Sequence, residues 1–253
     1  MTEQVDKEGF ETLHTLSAAD NFNRWMFDKI RPFINGKVLE TGSGIGNISG
    51  LLLNMGAPVT LSDFSLPYRK LLAGRFGKHP HLTEILDMDL EDELFDDKFA
   101  AYFGTFDTVI ALNVIEHVKA DGYAIANCKK LLKEGGHFIA LVPAYQLLYN
   151  RFDKELGHYR RYSKKSMQRL VSPHLSIVQC QYFNLAGILG WFVSGSILKN
   201  RTIPAAQMDV FNALVPLFRL LDIAVFHRVG LSVWVAAVKS GNILSNFADS
   251  KSK

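Results

Sequence analysis

The chain has 253 residues, of which 48% are hydrophobic and 21% are charged. This composition excludes a disordered chain and is typical of one folded domain with a sizeable core. The net charge of +3 hides an asymmetry, because residues 1–150 hold 14 Lys and Arg against 20 Asp and Glu, whereas residues 151–253 hold 14 against 5. The basic second half keeps an anionic partner, such as nucleic acid or a lipid surface, under consideration.

The cysteines and the N-terminal residues indicate the cellular compartment of the protein. Two cysteines, Cys128 and Cys180, indicate a reducing environment rather than a disulfide framework. The acidic, polar N-terminus differs from a secretory signal, which needs a basic start and an apolar core. The continuous apolar segment at residues 185–198 is too short to span a bilayer. We therefore expect a cytoplasmic protein.

Hydrophobic periodicity predicts alternating helices and strands along the first 143 residues. A first helix is expected over residues 21–33, where Phe22, Trp25 and Met26 recur at helical spacing before Pro32. The strands expected after it are 37–41, 58–63, 83–87, 106–115 and 137–143, and the helices between them are 47–54, 66–76 and 121–133. Such alternation predicts an α/β fold whose parallel sheet is covered on both faces.

The pattern is less regular beyond Pro143. It predicts a helix over 163–171, a strand over 175–183, two apolar helical segments over 186–198 and 205–226, and a final strand over 230–240.

A glycine-rich turn follows the first predicted strand and reads ETGSGIGN, residues 40–47. Two kinds of ligand could bind this turn, a dinucleotide or a nucleoside joined to an amino acid. In the dinucleotide fingerprint the third glycine would come one residue later than Gly46, and a carboxylate at Glu40 would repel a pyrophosphate but attract an ammonium group. The turn therefore favours a ligand that joins an amino acid to a nucleoside, such as S-adenosylmethionine. Asp63, after the second strand, could accept the ribose hydroxyls of either ligand.

Five segments, in this order and spacing, resemble the class I S-adenosylmethionine-dependent methyltransferases: VLETGSGIG (38–46), LSDFS (61–65), DMDLED (87–92), FDTVIALNVIEHV (106–118) and LLKEGGHFIALVPA (131–144). The resemblance implies a doubly wound, mostly parallel, Rossmann-like sheet of seven strands whose last strand, from residues 230–240, is antiparallel.

The resemblance also assigns cofactor-binding roles to individual residues. It implies that Glu40 serves the methionine end and that Asp63 holds the ribose hydroxyls. Asp89 would bind the adenine amino group, and Asn113 would lie beneath the methionyl and sulfonium portion. The turn glycines that would allow a close approach of the backbone are Gly42, Gly44 and Gly46.

The segment NVIEH, residues 113–117, raises the question of a metal. Some relatives carry Glu-x-x-Glu-His here and bind a divalent metal with a further His. Asn113 replaces the first of those glutamates and removes one hard anionic ligand, so the sequence predicts no metal. His117 remains a structural residue or a second catalytic candidate.

The segment GHYRRYS, residues 157–163, follows the fifth predicted strand, and its phrase LGHYRRY resembles a bacterial subgroup of the same family. His158 is the candidate general base, since an imidazole has a pKa near working pH. Arg160 and Arg161 could clamp a phosphate or carboxylate, and Tyr159 and Tyr162 could stack on the methyl acceptor or pack beneath the loop. A solvated basic turn is the alternative.

The apolar insertion at residues 185–229 carries aromatic residues beside Lys199, Arg201, Arg219 and Arg228. It could form a lid over a hydrophobic acceptor, contact an anionic membrane surface, or close the core.

We therefore expect a single domain over residues 1–253, with a cofactor-binding core at 20–145 and an acceptor-side loop and helical lid at 146–229. The predicted activity is methyl transfer from S-adenosylmethionine to a small-molecule or lipid-like acceptor, at oxygen. The alternatives are a nucleic-acid methyltransferase using the basic half, an NAD(P)-dependent oxidoreductase, and a binding protein without turnover.

Overall fold

A single twisted sheet organises the molecule. The computed structural model describes residues 7–198, 200 and 202–240. The strands are β1 (Val38–Thr41), β2 (Val59–Ser62), β3 (Leu82–Leu86), β4 (Phe106–Leu112), β5 (Leu132–Pro143), β6 (Ser176–Phe183) and β7 (Ser232–Val238). They lie in the order β3-β2-β1-β4-β5-β7-β6; β1 to β5 are parallel, and β7 is antiparallel to both β5 and β6. This order confirms the predicted seven-stranded, mostly parallel fold.

Helices cover the sheet. They are α1 (Lys7–Ser17), α2 (Asp20–Ile30), α3 (Ser49–Leu53), α4 (Leu66–Phe76), α5 (Phe95–Phe99), α6 (Asp121–Leu131), α7 (Arg151–Glu155), α8 (Lys164–Val171), α9 (Leu185–Trp191) and α10 (Ala205–Ala224). A short 3₁₀ turn, Ile115–His117, follows β4, and a π-helical segment, Phe192–Ile197, continues α9.

The core consists of two apolar clusters, one on each face of the sheet. Neighbouring residues of one strand point to opposite faces, so Val109 and Phe138 belong to one cluster and Ile110 and Ile139 to the other. All four side chains are completely buried. Burying each contributes about 1.5–3 kcal/mol, which explains why the central strands are apolar along their whole length.

The boundary between α6 and β5 differs from the prediction. The strand begins at Leu132 rather than at residue 137, and the helix ends at Leu131 rather than at 133. Leu132 pairs with Phe106 while His137 pairs with Thr108, so the intervening residues form an irregularity in the ladder. Pairing with β4 is a long-range contact that local helix propensity does not report.

Three helices were not predicted: α1, α5 and α7. Helix α1 lies in the polar N-terminal segment, for which no helix was predicted. Phe10, Leu13 and Leu16 nevertheless recur there every three residues. Helix α7 begins at a capping box, in which Asn150 accepts a hydrogen bond from the Phe152 N–H. Both helices contribute to the candidate site.

The insertion between β6 and β7 is helical, as the sequence predicts, with α9 and α10 at residues 185–191 and 205–224. Lys199 and Arg201 lie outside the described residues. Helix α10 continues through Pro216, which has no N–H to donate to the carbonyl of Asn212. Asn21 supplies the missing bond, since its Nδ2 donates to that carbonyl at 3.1 Å. The start of α2 is thereby fixed against α10.

Candidate active site

The glycine turn joins β1 to α3 at the carboxyl edge of the sheet. Gly42, Gly44 and Gly46 all have positive φ angles, of 61°, 54° and 86°. A side chain would be strained in this region of backbone space. A Cβ at Gly42 would also come within 2.5 Å of Cγ2 of Val114, and one at Gly46 within 2.4 Å of the Phe76 ring. The backbone conformation therefore favours glycine at all three positions, and packing also requires it at Gly42 and Gly46.

Glu40 lies in β1, one residue before the strand ends at Thr41. Its side chain is buried, and its Oε2 accepts a hydrogen bond from the Ser49 hydroxyl on α3. Burial raises the pKa of Glu40 to about 7, and the hydrogen bonds from Ser49 and Ser43 only partly offset that effect. The carboxylate is bonded to neutral groups here, so a cationic ligand group would complete its charge balance.

Asp63 follows β2 and fastens the glycine turn to it. Its Oδ2 accepts a hydrogen bond from the Gly44 N–H at 2.9 Å, and its Oδ1 accepts one from the Ser65 N–H at 2.8 Å. Burial raises the pKa of Asp63, although these backbone bonds act in the opposite direction. The carboxylate therefore has a structural role in addition to the ligand role that the sequence predicts.

Asp89 and Asn113 complete the set of predicted cofactor residues. Asp89 lies beyond β3, is half-buried, and accepts a hydrogen bond from the Glu91 N–H at 2.9 Å. Asn113 follows β4 with a φ of 53°, and its N–H donates to the Leu141 carbonyl at 2.8 Å. The structure thus brings the predicted residues to one edge, beyond the ends of β1, β2, β3 and β4.

Helix α1 adds a residue that the sequence prediction missed. Leu13 covers the glycine turn: its carbonyl accepts a hydrogen bond from Nδ2 of Asn47 at 3.0 Å. Its Cδ1 lies 3.1 Å from the position that a Cβ of Gly44 would take. The apolar spacing around Leu13 is a signal from which this helix could have been predicted, but only the fold shows where the helix packs.

His158 lies against Asp153 rather than in open solvent. The Nδ1 of His158 and the Oδ1 of Asp153 are 2.8 Å apart, and the His158 side chain is only 7% exposed. Tyr149 fixes the backbone, since its hydroxyl donates to the His158 carbonyl at 2.7 Å. Burial opposes the ionisation of Asp153, but its bonds to His158 and Arg161 outweigh burial and hold its pKa below the usual value. The carboxylate therefore fixes the orientation of the imidazole.

His117 meets His158 directly. The two rings are 4.6 Å apart and nearly perpendicular. The residue is partly accessible, yet desolvation of the ring, followed by the nearby His158, lowers the pKa of His117 to about 4. Both predicted catalytic residues consequently lie in one cluster beyond β4 and β5.

Two of the four predicted substrate residues are buried. Arg161 is 5% exposed; its Nε donates to Oδ1 of Asp153 at 2.7 Å, and its guanidinium lies 4.5 Å from the centre of the Trp191 ring. Tyr162 is 3% exposed and donates its hydroxyl to Asp121 at 2.9 Å. Since these polar groups already have partners inside the protein, their placement favours structural roles. Their sequence spacing does not distinguish a clamp from a buried anchor.

The other two predicted substrate residues are accessible. Tyr159 is 53% exposed, and its N–H donates to the Glu116 carbonyl at 2.8 Å. Arg160 donates to Asp121 at 3.0 Å and to the Lys119 carbonyl at 2.8 Å. The structure therefore leaves Tyr159 as the member of this set best placed to meet a ligand.

The insertion presents an apolar surface to solvent. We call it the α9–α10 surface, and its exposed residues are Leu189, Phe192, Ile197, Leu198, Val210, Leu214, Leu217, Leu220, Leu221, Ile223, Phe226 and Val229. Across the described ranges of the chain, no helix is both long enough and apolar enough to cross a bilayer. Much of the insertion's apolar side-chain surface is therefore exposed and lies outside the core.

Comparison with known proteins supports the enzyme class. Residues 39–140 match the family model described as "Methyltransferase domain". The ubiquinone biosynthesis O-methyltransferase of Thiobacillus denitrificans is 33% identical over 114 residues, which cover 45% of this chain and 46% of that protein. Its counterpart in Caulobacter vibrioides is 32% identical over 105 residues, covering 42% and 40%. The match thus spans less than half the length of either curated relative.

Solved structures support the fold. Geranyl diphosphate C-methyltransferase from Streptomyces coelicolor A3(2) aligns with a TM-score of 0.58 and 12% identity, over 85% of this chain and 76% of that one. A SAM-dependent methyltransferase from Archaeoglobus fulgidus aligns with a TM-score of 0.57 and 14% identity, over 87% and 94%. At these identities the likeness bears on the fold alone, and it agrees with the class I architecture expected from the sequence.

Proposed function

We propose that the protein transfers a methyl group from S-adenosylmethionine to a hydroxyl oxygen of a small-molecule or lipid-like acceptor. One observation carries the proposal: the acid–glycine turn lies in a matched methyltransferase domain and is fastened to Asp63 through the Gly44 N–H. Two solved relatives in this fold are described with S-adenosylmethionine or S-adenosylhomocysteine bound.

The residues present fit this cofactor. Glu40 is a buried carboxylate bonded to a neutral hydroxyl, so it suits the cofactor's ammonium group. Asp63 is the acceptor proposed for the ribose hydroxyls, and Asp89 for the adenine amino group. Asn113 would lie beneath the methionyl portion. S-adenosylmethionine supplies an activated methyl group on its sulfonium, and the chain's contribution is to bind and orient it.

The acceptor would meet the cofactor beyond β4 and β5, where His158, His117 and Tyr159 lie. Asp153 holds Nδ1 of His158, so the lone pair on Nε2 is free to take the proton of an acceptor hydroxyl. Oxygen is proposed as the accepted atom because the two ubiquinone biosynthesis relatives are O-methyltransferases. The exposed apolar side chains of the α9–α10 surface support an apolar, membrane-soluble acceptor.

Titration calorimetry of the full chain with S-adenosylmethionine tests the proposal. We expect binding that is lost in Gly44→Val and strongly weakened in Asp63→Ala. Matched controls are Gly104→Val, which has a positive φ and open space around it, and Asp97→Ala at an exposed carboxylate. Binding of NAD(P) instead of S-adenosylmethionine would favour the oxidoreductase, and binding of nucleic acid that weakens steeply with salt would favour a nucleic-acid methyltransferase.

We also propose that the α9–α10 surface contacts an anionic membrane. Val210, Leu214, Leu217 and Leu221 are exposed and recur every three or four residues along α10, so they form one apolar stripe. The insertion holds four Lys and Arg against two Asp. An apolar helix with basic neighbours is suited to lie in the headgroup region of a bilayer.

Vesicle flotation distinguishes this contact from self-association. We expect the protein to float with vesicles containing phosphatidylserine, and Leu217→Asp combined with Leu221→Asp to abolish flotation. Leu94→Asp is the control, because Leu94 is at least as exposed as Leu217 and Leu221 but lies outside the insertion. Absence of flotation, with the double variant instead converting a dimer to a monomer in light scattering, would contradict membrane contact.

A further inference from the structure

A cavity of about 320 Å³ lies over strands β6 and β7, outside the residues assigned to the cofactor and to the acceptor. Helix α2, the 3₁₀ turn Arg31–Phe33 that follows it, and the segment after α10 contribute its other walls. A volume of this size is sufficient for a small ligand. We call the cavity the β6–β7 pocket, and the lining residues that bear on a ligand are Lys29, Phe33, Gln179, Gln181, His227 and Trp234.

Trp234 has a buried hydrogen-bond donor without an acceptor. The residue is only 2% exposed, and its indole N–H has no hydrogen-bond partner within the part of the chain that the structure describes. An indole nitrogen can donate but cannot accept, and a buried donor without a partner costs free energy. Since Trp234 lines the pocket, an acceptor atom of a bound ligand would supply the missing partner.

Two glutamine side chains lie beside Trp234 on the same face of the sheet. Gln181 is directly opposite Trp234 in the pairing of β6 with β7, and Gln179 is opposite Ala236. Residues that are opposite each other in an antiparallel pair point to the same face. Both amides line the pocket and are partly exposed, and neither has a hydrogen-bond partner among residues 7–198, 200 and 202–240. Each amide therefore has two N–H donors for a ligand.

Lys29 places a positive charge in the pocket without a counterion. The residue is half-buried, and its Nζ lies 3.1 Å from Nε2 of His227. An ammonium group can only donate, so the imidazole is the acceptor of this bond. Lys29 forms no ion pair with a carboxylate in the described ranges of the chain. Burial lowers the pKa of Lys29, as expected for an ammonium group that has lost part of its water.

The carboxylates near Lys29 have partners of their own. Asp28 forms an ion pair with Arg219 at 2.8 Å. Asp222 accepts hydrogen bonds from the N–H groups of Asn184 and Leu185, both at 2.8 Å. Asp222 favours the charge on Lys29 from a distance, but this effect is smaller than that of burial. An anion from solution could therefore pair with Lys29 directly.

From this geometry we propose that the β6–β7 pocket binds a phosphate group, carried by a lipid headgroup or by a soluble phosphate ester. The donors come from α2, β6 and β7, so they approach a ligand from several directions. A tetrahedral phosphate presents its oxygens in several directions too, whereas a carboxylate presents two in one plane. The phosphate would pair with Lys29 and accept a hydrogen bond from Nε1 of Trp234. The Phe33 ring, 5.6 Å from that of Trp234, gives the carbon part of the ester an apolar wall.

The pocket adjoins the α9–α10 surface along the chain. His227 lines the pocket, and Phe226, the residue before it, is 76% exposed on that surface. Both residues have a φ of 52°, which is uncommon for residues other than glycine and turns the chain sharply after α10. A lipid with its phosphate in the pocket would have its acyl chains close to Phe226. The lipid source rests on the proposed membrane contact, whereas the binding of phosphate does not.

A nuclear magnetic resonance titration of the full chain with glycerol 3-phosphate tests the inference. The chain has three tryptophans, and the indole N–H resonance that is missing in Trp234→Phe belongs to Trp234. We expect this resonance to move downfield as glycerol 3-phosphate is added, and to stay in place when glycerol is added. Lys29→Met keeps the apolar stem and removes the charge. It should weaken binding about tenfold or more, because a charge-assisted hydrogen bond is lost.

Lys37 provides the matched control. It is also half-buried, but its Nζ lies over the Phe106 ring at 4.8 Å and not in the pocket. Lys37→Met should bind glycerol 3-phosphate like the wild type, and circular dichroism and thermal melts establish that each variant is folded. A Trp234 resonance that does not respond to glycerol 3-phosphate would overturn the inference. An equal response in the wild type and in Lys29→Met would do so too.

Vesicle flotation then distinguishes the two sources of the phosphate. Vesicles of phosphatidylcholine that contain phosphatidic acid carry the same phosphate ester as the soluble ligand. Weaker flotation of Lys29→Met than of Lys37→Met would support a lipid headgroup in the pocket. Equal flotation of the two variants, together with the response of Trp234, would support a soluble phosphate ester. If the wild type binds glycerol 3-phosphate but does not float, the membrane contact is contradicted and the phosphate site is not.

Discussion

His158 is held by Asp153, which accepts a hydrogen bond from its Nδ1 at 2.8 Å while also pairing with Arg161. The carboxylate is completely buried, so this bond belongs to the interior of the loop rather than to a solvated turn. A stretch of sequence that resembles a basic surface patch is therefore built around an internal acid. The imidazole is therefore oriented before any ligand binds, and its Nε2 takes no part in the bond to Asp153.

Replacing His158 should affect turnover and leave cofactor binding intact. We expect His158→Ala to lower kcat by about 10²–10⁴, the range typical of a positioned catalytic group, with an unchanged Kd for S-adenosylmethionine. The residue lies beyond β4 and β5, away from the glycine turn between β1 and α3. Calorimetry and a product assay on the same preparations measure both quantities. Equal turnover in the variant would return the loop to a purely structural role.

The buried pair of Arg161 and Asp153 should dominate the stability of the loop. Removing one partner of a buried ion pair typically costs about 3–5 kcal/mol, because the other charge is left uncompensated. Since His158 remains beside Asp153, we expect Arg161→Met to cost near the lower end of that range. Urea denaturation measures the loss in free energy of unfolding.

A double-mutant cycle identifies the origin of that loss. Asp153→Asn combined with Arg161→Met removes both charges, so the double variant should be less destabilised than the sum of the single variants. Additive losses would show that the pair is not energetically coupled, and that Arg161 acts through its packing against Trp191.

The cofactor edge of the sheet is the part most fully predictable from sequence. Glu40 and the glycine turn belong to one short strand–turn–helix unit, and Asp63 follows the next strand. In a parallel sheet the carboxyl ends of neighbouring strands meet, so local pattern and topology together place these residues. The hydrogen bond from the Gly44 N–H to Asp63 is evident only in the structure, but it joins two segments that the sequence pattern identifies.

The proposed acceptor side, beyond β4 and β5, is less predictable because its contacts are long-range. The sequence leaves the burial of Arg161 and Tyr162 open, because their polar groups find their partners in Asp153 and Asp121 only in the folded protein. Local spacing contains no signal that distinguishes a charge paired in the interior from a charge in solvent. Glu116 is a similar case. That its buried carboxylate lacks a hydrogen-bond partner among the described residues is evident only in the folded structure.

The ionisation of Glu40 should make cofactor binding depend on pH. Burial raises its pKa to about 7, and only the ionised form attracts an ammonium group. Below pH 7 we expect the affinity for S-adenosylmethionine to fall about tenfold per pH unit, and to level off above it. Calorimetry between pH 5.5 and 8 in buffers matched for ionisation enthalpy measures the profile. Glu40→Gln should bind weakly and without this pH dependence, and a wild-type profile that is equally flat would exclude Glu40 as the ammonium partner.

The same group should affect stability in the opposite sense. The pKa of Glu40 is raised in the folded state, so its favourable contribution is full below pH 4.5 and is lost as pH rises through about 7. The wild type should therefore lose up to about 3 kcal/mol relative to Glu40→Gln across this window. Urea denaturation of both proteins at a series of pH values gives the difference, and a constant difference would contradict the raised pKa.

Asp222 should determine whether the helical insertion stays ordered. Its buried carboxylate on α10 accepts hydrogen bonds from the N–H groups of Asn184 and Leu185, both at 2.8 Å, where α9 begins. Asp222→Ala would leave two backbone donors without their acceptor, at a cost of about 1–3 kcal/mol each. Asp222→Asn keeps one side-chain oxygen and should cost less. Urea denaturation should therefore rank the wild type above Asp222→Asn and both above Asp222→Ala; equal stability of the two variants would mean that the α9 backbone does not depend on this carboxylate.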